Sequence, residues 1–185
     1  MSGEKLPISD LTGHTLVMGE ALIDLVQRSD GSSQEHVGGS PANVAVGLAR
    51  LGHEVELATH IGEDERGARI AGYLLGEGIS LTKGSVGGRS TSVAISTLDA
   101  TGAAAYSFDL SWDLPVLAGA EGLAHVHTGS IAATLEPGAS AVLTTIQSAR
   151  PTATISYDPN VRPSLMGDPP EVRAKIEMLT GLSGR

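Results

Sequence analysis

The sequence contains no cysteine, which excludes disulfide bonds, thiol catalysis and cysteine-bound zinc. Aromatic residues make up only 3% of the 185 residues, and the formal net charge is -9. Nucleic-acid binding relies on basic patches and stacking rings, so we expect no nucleic-acid partner. No apolar run has the length of a signal peptide or a membrane span, so we expect no membrane association and a cytoplasmic protein.

Two nucleotide-binding motifs are also absent. The sequence has no Gly-x-x-x-x-Gly-Lys-Ser/Thr, so there is no Walker A loop, and it has no Gly-x-Gly-x-x-Gly. The second absence weakens a dinucleotide-binding interpretation, and an oxidoreductase of the Rossmann type is therefore a poor alternative.

The stretch from Gly38 to Gly52 predicts one helix with both ends marked. Ser40 is a suitable N-cap, Pro41 suits the first helical position, and Gly52 suits the left-handed residue beyond the other end. Three apolar side chains recur at three- and four-residue spacing and are predicted to pack inward: Val44, Leu48 and Leu51.

The front of this helix is a candidate ligand site. Gly38 and Gly39 leave backbone N–H groups bare where the helix dipole is positive, and Asn43 adds a carboxamide in the first turn. Such a corner can bind a small polyhydroxylated or anionic ligand. A tight turn followed by a well-capped helix is the equally open alternative.

The surrounding pattern predicts an α/β fold with parallel strands. Residues 15–18 and 54–59 are β-prone, and each run is followed by a glycine turn or loop and then a helix. Asp64 is the predicted N-cap of the second helix, which ends at residues 76–78. Its predicted inner face is formed by Ile70, Tyr73 and Leu74. Asp24 is the only charge in the apolar run 22–26, so it points either to solvent or to a polar partner.

Residues 90–98 and 103–108 are β-prone runs around a glycine-bearing turn, which predicts an antiparallel hairpin. Further strands are predicted at 124–130 and 152–157, with helices from Pro137 to about residue 149 and from Pro170 onward. His125 and His127 fall on one face of a strand, and Glu63 and Asp64 are adjacent acids. No further histidine or carboxylate lies at a recognised ligand spacing from the two histidines, and helix capping is the simpler explanation of Asp64, so we assign no metal site.

Four segments resemble, in order and spacing, the PfkB (ribokinase-like) carbohydrate kinases, and most closely the fructokinase branch. They are Gly19-Glu20-Ala21-Leu22-Ile23-Asp24, Gly38-Gly39-Ser40-Pro41-Ala42-Asn43-Val44-Ala45, Ile61-Gly62-Glu63-Asp64 with Gly67, and Asp158-Pro159-Asn160-Val161-Arg162-Pro163. The resemblance implies a Rossmann-like, largely parallel three-layer sheet over residues 1–185. It also implies a small β-lid formed by about residues 24–37 and 81–110.

The resemblance further implies which residues contact the substrate. Its substrate-binding positions fall on Asp24, Gly38, Gly39, Asn43, Asn160 and Arg162. Tyr106 and Phe108 are candidate lid side chains. Many relatives carry a charged residue after the turn glycine where this chain has Ala103, so that lid contact is not carried over.

The implied activity is ATP-dependent phosphorylation of a sugar hydroxyl, with Mg²⁺ as the metal and fructose as the favoured sugar. The alternative substrate is 2-keto-3-deoxygluconate, because Arg162 can pair with a carboxylate. The family's Asn-x-x-Glu and Asp-Thr-x-Gly-Ala-Gly-Asp motifs, which serve metal, phosphate and general base, do not occur. We therefore expect the N-terminal, sugar-binding half only, with no catalytic residue and no activity of its own. The alternative is a non-catalytic module for sugar binding or dimerisation, and a homodimer through the lid is expected on the same resemblance.

Overall fold

The computed structural model describes residues 13–88, 90–99, 103–117 and 123–184. The polar start at residues 1–5, the turn residues 100–102 and the final Arg185 lie outside the described residues. In chain order the elements are β1 (Thr15–Met18), β2 (Leu22–Gln27), β3 (Ser33–Gly38), α1 (Ser40–Arg50), β4 (Val55–Ala58), β5 (Ile61–Gly62), α2 (Glu65–Gly76), β6 (Ser80–Leu81), β7 (Val86–Gly88), β8 (Val93–Leu98), β9 (Ala104–Asp109), β10 (His125–Gly129), a 3₁₀ helix (Ser130–Ala133), α3 (Gly138–Ala149), β11 (Thr154–Asp158), α4 (Pro163–Met166) and α5 (Pro169–Leu182).

The main sheet is parallel, in the order β11-β10-β1-β4-β6 within the described residues. All four residues of β1 are buried, because this central strand is covered on both faces. Leu16 and Met18 face α3 and α5 across one half of the core, whereas Val17 faces the other way, toward α1 and α2. The predicted three-layer α/β arrangement with a largely parallel sheet is therefore confirmed.

A second sheet has the order β3-β2-β8-β9. β2 and β8 run parallel, and each carries an antiparallel hairpin partner, β3 and β9 respectively. One face of this sheet joins the core through the buried side chains of Ile23 and Val93. The other face carries Asp24. β6 belongs to the main sheet, and β7 pairs with β5, so part of segment 81–110 lies outside the second sheet. Whether the second sheet acts as a lid stays a prediction.

The inward face predicted for α1 is wrong at Leu51 and only partly correct at Val44 and Leu48, which are half-buried. Leu51 is 77% exposed, and the buried residues of the helix are Pro41, Ala42, Ala45 and Val46. Small side chains let the helix backbone approach β1 and β4 closely, and the bulkier Leu48 packs against this core only half-buried. Ser40 is likewise not the N-cap: Gly39 occupies that position, and no side chain caps the helix.

The second helix follows its prediction more closely. The Asp64 carboxylate accepts a hydrogen bond from the Gly67 N–H, which confirms the N-cap, and α2 ends at Gly76. Ile70 and Leu74 are buried as predicted, but Tyr73 is 39% exposed and is not part of the inner face. Throughout the described ranges, no helix is both long enough and apolar enough to cross a membrane.

Candidate functional site

A cavity of about 520 Å³ opens where the carboxyl ends of the main-sheet strands meet the second sheet and the start of α1. Its polar lining residues are Glu20, Asp24, Ser40, Asn43, Asn160 and Arg162. Apolar side chains, among them Leu22, Phe108 and Ile131, cover other parts of the wall. In open α/β sheets, ligands bind at this edge. The combination of hydrogen-bonding groups and apolar surface suits a small, polar, uncharged or weakly charged ligand.

Asp24 reaches the cavity because of its register in β2. It is paired with His36 on β3 and with Ala94 on β8, and Ala94 in turn pairs with Phe108 on β9. Alternation of side chains along the strand sends Ile23 into the core and Asp24 to the opposite face. The carboxylate remains accessible, but nearby protein atoms replace part of its hydration, and this raises its pKa. The charge of His36 acts in the opposite direction and is the smaller effect.

Gly38 is required by the position of the Asp24 carboxylate. A β-carbon at Gly38 would lie 2.0 Å from Oδ2 of Asp24, far inside van der Waals contact. Gly38 does not line the cavity itself. It contributes by leaving room for the carboxylate.

Gly39 forms the turn into α1. Its φ of 107° falls in the left-handed region, and a β-carbon there would lie 2.3 Å from the carbonyl oxygen of Glu20. The Gly39 carbonyl accepts the Asn43 N–H at 3.0 Å, which starts the helix and places the exposed Asn43 side chain on the cavity wall. The N–H groups of a first helical turn have no partner within the helix, so this corner presents backbone donors beside the carboxamide.

Asn160 and Arg162 follow β11 at the carboxyl edge. Asn160 has a φ of 35°, which asparagine tolerates better than most residues, and its N–H donates to the Asp158 carboxylate at 3.1 Å. The Arg162 N–H contacts the sulfur of Met166 at 3.4 Å, which ties the loop to α4. Among the residues lining the cavity, Arg162 supplies the positive charge.

The structure thus brings Asp24, Gly39, Asn43, Asn160 and Arg162 to one cavity. Of the two lid candidates, Phe108 lines the cavity, whereas Tyr106 lies outside it with 69% of its surface exposed. The roles of all these residues in ligand binding stay predictions.

Three of the four residues weighed as metal ligands, Asp64, His125 and His127, have other partners. Asp64 accepts hydrogen bonds from the Thr91 N–H at 2.8 Å and the Thr91 hydroxyl at 2.6 Å, in addition to capping α2. His125 and His127 both hydrogen-bond the Ser156 hydroxyl at 2.8 Å, away from the cavity. Burial lowers the pKa of both imidazoles.

Sequence reasoning did not name eight of the lining residues as site candidates: Glu20, Leu22, Ser40, Val44, Ala94, Leu110, Ile131 and Leu165. Glu20 is only 7% exposed and lies two residues after the end of β1, so an acid just beyond the carboxyl end of a central strand was the available signal. Ile131 lies on the 3₁₀ helix after β10, and Leu165 lies on α4. Neither apolar residue carries a sequence signal that separates a cavity wall from a core.

The fold and the cavity define an α/β protein with a polar cavity at the carboxyl edge of its sheet, where ligands bind in open α/β folds. The chain matches the pfkB family of carbohydrate kinases over residues 13–182 and belongs to that family.

Named relatives agree with this assignment. The chain is 30% identical to the fructokinase of Klebsiella pneumoniae over 184 residues, which cover 94% of this chain and 59% of that protein. It is 35% identical to the fructokinase of Escherichia coli, covering 82% and 52% of the two chains. The chain therefore spans about half the length of the curated relatives that it matches.

Solved structures show the same fold. The fructokinase of Vibrio cholerae O395 in its apo form superimposes with a TM-score of 0.80 at 26% identity, covering 93% of this chain and 62% of that one. The fructokinase of Xylella fastidiosa with bound ATP superimposes with a TM-score of 0.72 at 27% identity, covering 92% and 56%. The ribokinase-like fold expected from the sequence is confirmed.

Proposed function

We propose that this chain is the sugar-binding half of an ATP-dependent, fructokinase-like sugar kinase. The observation that carries the proposal is the convergence of Asp24, Asn43, Asn160 and Arg162 with the start of α1 on one sugar-sized cavity. These groups come from three separate parts of the chain: β2, the start of α1 and the loop after β11. Family membership and the names of the relatives support the same class of ligand.

The cavity chemistry matches a sugar. An ionised Asp24 accepts hydrogen bonds from sugar hydroxyls, and the Asn43 amide and the first-turn N–H groups donate to sugar oxygens. Hydrogen bonds to a charged group each contribute about 1.5–3 kcal/mol, so Asp24 is the expected main contact. Leu22 and Phe108 offer apolar surface to the C–H face of the ring.

Fructose is the first substrate to test, because the relatives named above are fructokinases. The second is 2-keto-3-deoxygluconate, and the specific observation in its favour is Arg162 on the cavity wall. A guanidinium pairs with a carboxylate through two parallel hydrogen bonds, a contact that a neutral sugar cannot make.

We expect ATP and Mg²⁺ to bind elsewhere, because the part of the chain that the structure describes forms no donor set that fits Mg²⁺. Across the described ranges there is no group of three or more His, Asp or Glu residues placed to hold a metal ion. The sequence also lacks the two family motifs that serve nucleotide phosphates and general base. We propose that both are bound by polypeptide outside this sequence, in keeping with the roughly half-length match to the relatives. No step of phosphoryl transfer is assigned to residues of this chain.

A sugar-binding or dimerisation module without catalysis is the second candidate function. The missing nucleotide motifs favour it, because phosphoryl transfer depends on groups that hold and neutralise the phosphates. A sugar-binding module requires the same residues as the kinase half, whereas a dimerisation module does not require sugar binding.

Titration calorimetry with fructose and with 2-keto-3-deoxygluconate tests the proposal, using protein whose intact mass matches this chain. We expect Asp24→Ala to weaken binding of the preferred sugar about tenfold or more. Asp109→Asn is the matched control, because Asp109 is an exposed acid in the same sheet outside the cavity. Absence of binding by the unmodified chain, or equal effects of the two substitutions, would refute the proposal.

A further inference from the structure

Residues 19–21 take the chain from β1 in the main sheet to β2 in the second sheet and belong to neither strand. Ala21 is fully buried and Glu20 is 7% exposed. Buried backbone N–H and C=O groups need hydrogen-bond partners, and outside a sheet ladder these must come from elsewhere. This connecting segment is therefore a point where specific neighbours must supply the bonds.

Three neighbours form hydrogen bonds with this segment or with Met18, the residue just before it. The Gly19 N–H donates to the Ala58 carbonyl at 3.0 Å, which extends the ladder to β4 by one bond. The Met18 carbonyl accepts from the Thr128 hydroxyl at 3.0 Å. The Ala21 N–H donates to the Thr59 hydroxyl oxygen at 2.9 Å. Thr59 is the first residue beyond β4, so its side chain supplies an acceptor where the strand no longer offers a carbonyl.

Two further hydroxyl groups, those of Ser85 and Thr82, hold Thr59 in place. Thr59 is fully buried, and its N–H donates to the Ser85 hydroxyl oxygen at 3.1 Å. The Ser85 hydroxyl is also hydrogen-bonded to the Thr82 hydroxyl at 2.8 Å. Such a connected, water-excluded set of hydroxyls fixes geometry more firmly than an isolated bond does.

A shift of Ala21 would move two walls of the cavity, the wall formed by β2 and the wall formed by the start of α1. Its chain neighbours Glu20 and Leu22 both line the cavity. A β-carbon at Gly39 would lie 3.1 Å from the Ala21 α-carbon and 2.3 Å from the Glu20 carbonyl oxygen, so the segment packs directly against the start of α1. The Ala21 position thus sets the distance between the β2 wall and the α1 wall.

We propose that Thr59 is a positioning residue for the sugar site: its hydroxyl holds the Ala21 N–H and so fixes the cavity wall that carries Asp24. Thr59 does not line the cavity and acts through the backbone. The inference rests on the proposed function for its effect on binding, but its effect on the backbone is measured separately.

The test compares Thr59→Val, which keeps the branched shape and removes the acceptor, with Thr59→Ser, which keeps the hydroxyl. Thr145→Val is the control, because the fully buried Thr145 hydroxyl donates to the Ala141 carbonyl within α3, away from the cavity. NMR follows amide exchange at Ala21 and the chemical shift of Gly39, and calorimetry measures fructose affinity. We expect Thr59→Val to speed Ala21 exchange and weaken fructose binding about tenfold each, equivalent to about 1.4 kcal/mol. Thr59→Ser is expected to stay within about threefold of the unmodified chain and Thr145→Val within about twofold, both well below a tenfold change.

Two outcomes overturn the proposal. In the first, Thr59→Val changes the Ala21 exchange rate and the Gly39 chemical shift no more than Thr145→Val does. In the second, Thr59→Val leaves the fructose affinity unchanged. If the unmodified chain does not bind fructose while both amides still respond only to Thr59→Val, the proposed function fails and the backbone role of Thr59 holds. Should Thr59→Val not fold, Ser85→Ala removes the support behind Thr59. It is expected to shift the Ala21 and Gly39 resonances, and unchanged resonances would then overturn the proposal.

Discussion

Oδ2 of Asp24 lies 2.0 Å from the point where a β-carbon on Gly38 would stand. The two residues are on neighbouring antiparallel strands, β2 and β3. The carboxylate therefore depends on a missing side chain across the sheet, in addition to its own strand position.

Gly38→Ala is expected to weaken sugar binding about tenfold or more while costing little stability, because the atom in its way is the end of a side chain that can rotate aside. Calorimetry and thermal unfolding measure the two effects. Gly47→Ala is the control: nothing lies within 4 Å of its β-carbon position in α1, so it should raise stability by about 0.5–1 kcal/mol and leave binding unchanged. Equal affinities of the two variants would contradict this account of Gly38.

The affinity for sugar should depend on pH through Asp24. Burial raises the pKa of this carboxyl group, so its protonated fraction grows at a higher pH than that of an ordinary aspartate. Sugar hydroxyls bind the ionised form better, and affinity should therefore fall as the pH is lowered through this raised pKa. Asp24→Asn should bind weakly with a flat profile over the same range. A profile unchanged by Asp24→Asn would assign the pH dependence to another group.

Asp24→Asn should also leave the folded state at least as stable as the unmodified chain at neutral pH. A raised carboxyl pKa means that folding disfavours the ionised form, so the native state binds more protons and the charge opposes folding above that pKa. The asparagine removes this opposition. Thermal unfolding of both proteins at neutral pH, with Asp109→Asn alongside, measures it, and a large loss of stability in Asp24→Asn alone would contradict the prediction.

The hairpin of β8 and β9 should open more readily than the main sheet. Five of the six residues of β9 are exposed, whereas all four residues of β1 are buried. Few apolar contacts hold the outer strand, so its amides should exchange roughly a hundredfold faster or more, a difference of about 2.7 kcal/mol. Equal protection of the two strands in a hydrogen-exchange experiment would show that the second sheet is part of the rigid core and does not act as a lid.

Kinase turnover by this chain alone should be undetectable. On the proposed function the chain supplies contacts to the sugar, whereas the family motifs for the anion hole, the metal-linked residues and the general base of phosphoryl transfer do not occur in its sequence. A coupled assay for ADP release, with fructose and with 2-keto-3-deoxygluconate, measures it on protein of confirmed mass. Sugar-dependent turnover of roughly 1–100 per second, the ordinary range for kinases, would mean that the nucleotide site lies within this sequence.

The chain should self-associate through the second sheet. β9 lies at an edge of that sheet and carries Tyr106, which is 69% exposed. Exposed strand edges and aromatic side chains both favour pairing with another chain. Analytical ultracentrifugation should show a dimer that Tyr106→Ser weakens, whereas Tyr73→Ser, on α2, leaves it intact. A monomer at high concentration, or equal effects of both substitutions, would contradict a dimer formed by this sheet.

Local chemistry explains which features the sequence could predict. Asp64 caps α2 as predicted, because capping depends on a few neighbouring residues. β1 was predicted with its observed bounds, since a short β-prone run ending at a glycine marks its own limits. The inward face of α1 was not predictable in this way. Close packing onto the sheet selects the small Ala42 and Ala45 over the larger Leu51, and that choice depends on the distance between layers.

Among the cavity residues, too, some were predictable from the sequence and others depend on tertiary packing. Asp24 and Asn43 were predicted as site residues from resemblance to a known family, and both line the cavity. Tyr106 and Phe108 were both lid candidates from the same resemblance, but only Phe108 lines the cavity, whereas Tyr106 is 69% exposed. Ile131 and Leu165 are brought in by tertiary packing, for which their own sequence neighbourhoods hold no signal.

The cavity wall joins segments that lie far apart along the chain, from Glu20 near the beginning to Leu165 after the last strand of the main sheet. Such distant contacts form late in folding, after the entropy cost of closing the intervening loops has been met. A transition state that lacks β11 would have no complete cavity and no affinity for ligand. A bound sugar should therefore leave the rate of refolding unchanged and act almost entirely by slowing the rate of unfolding.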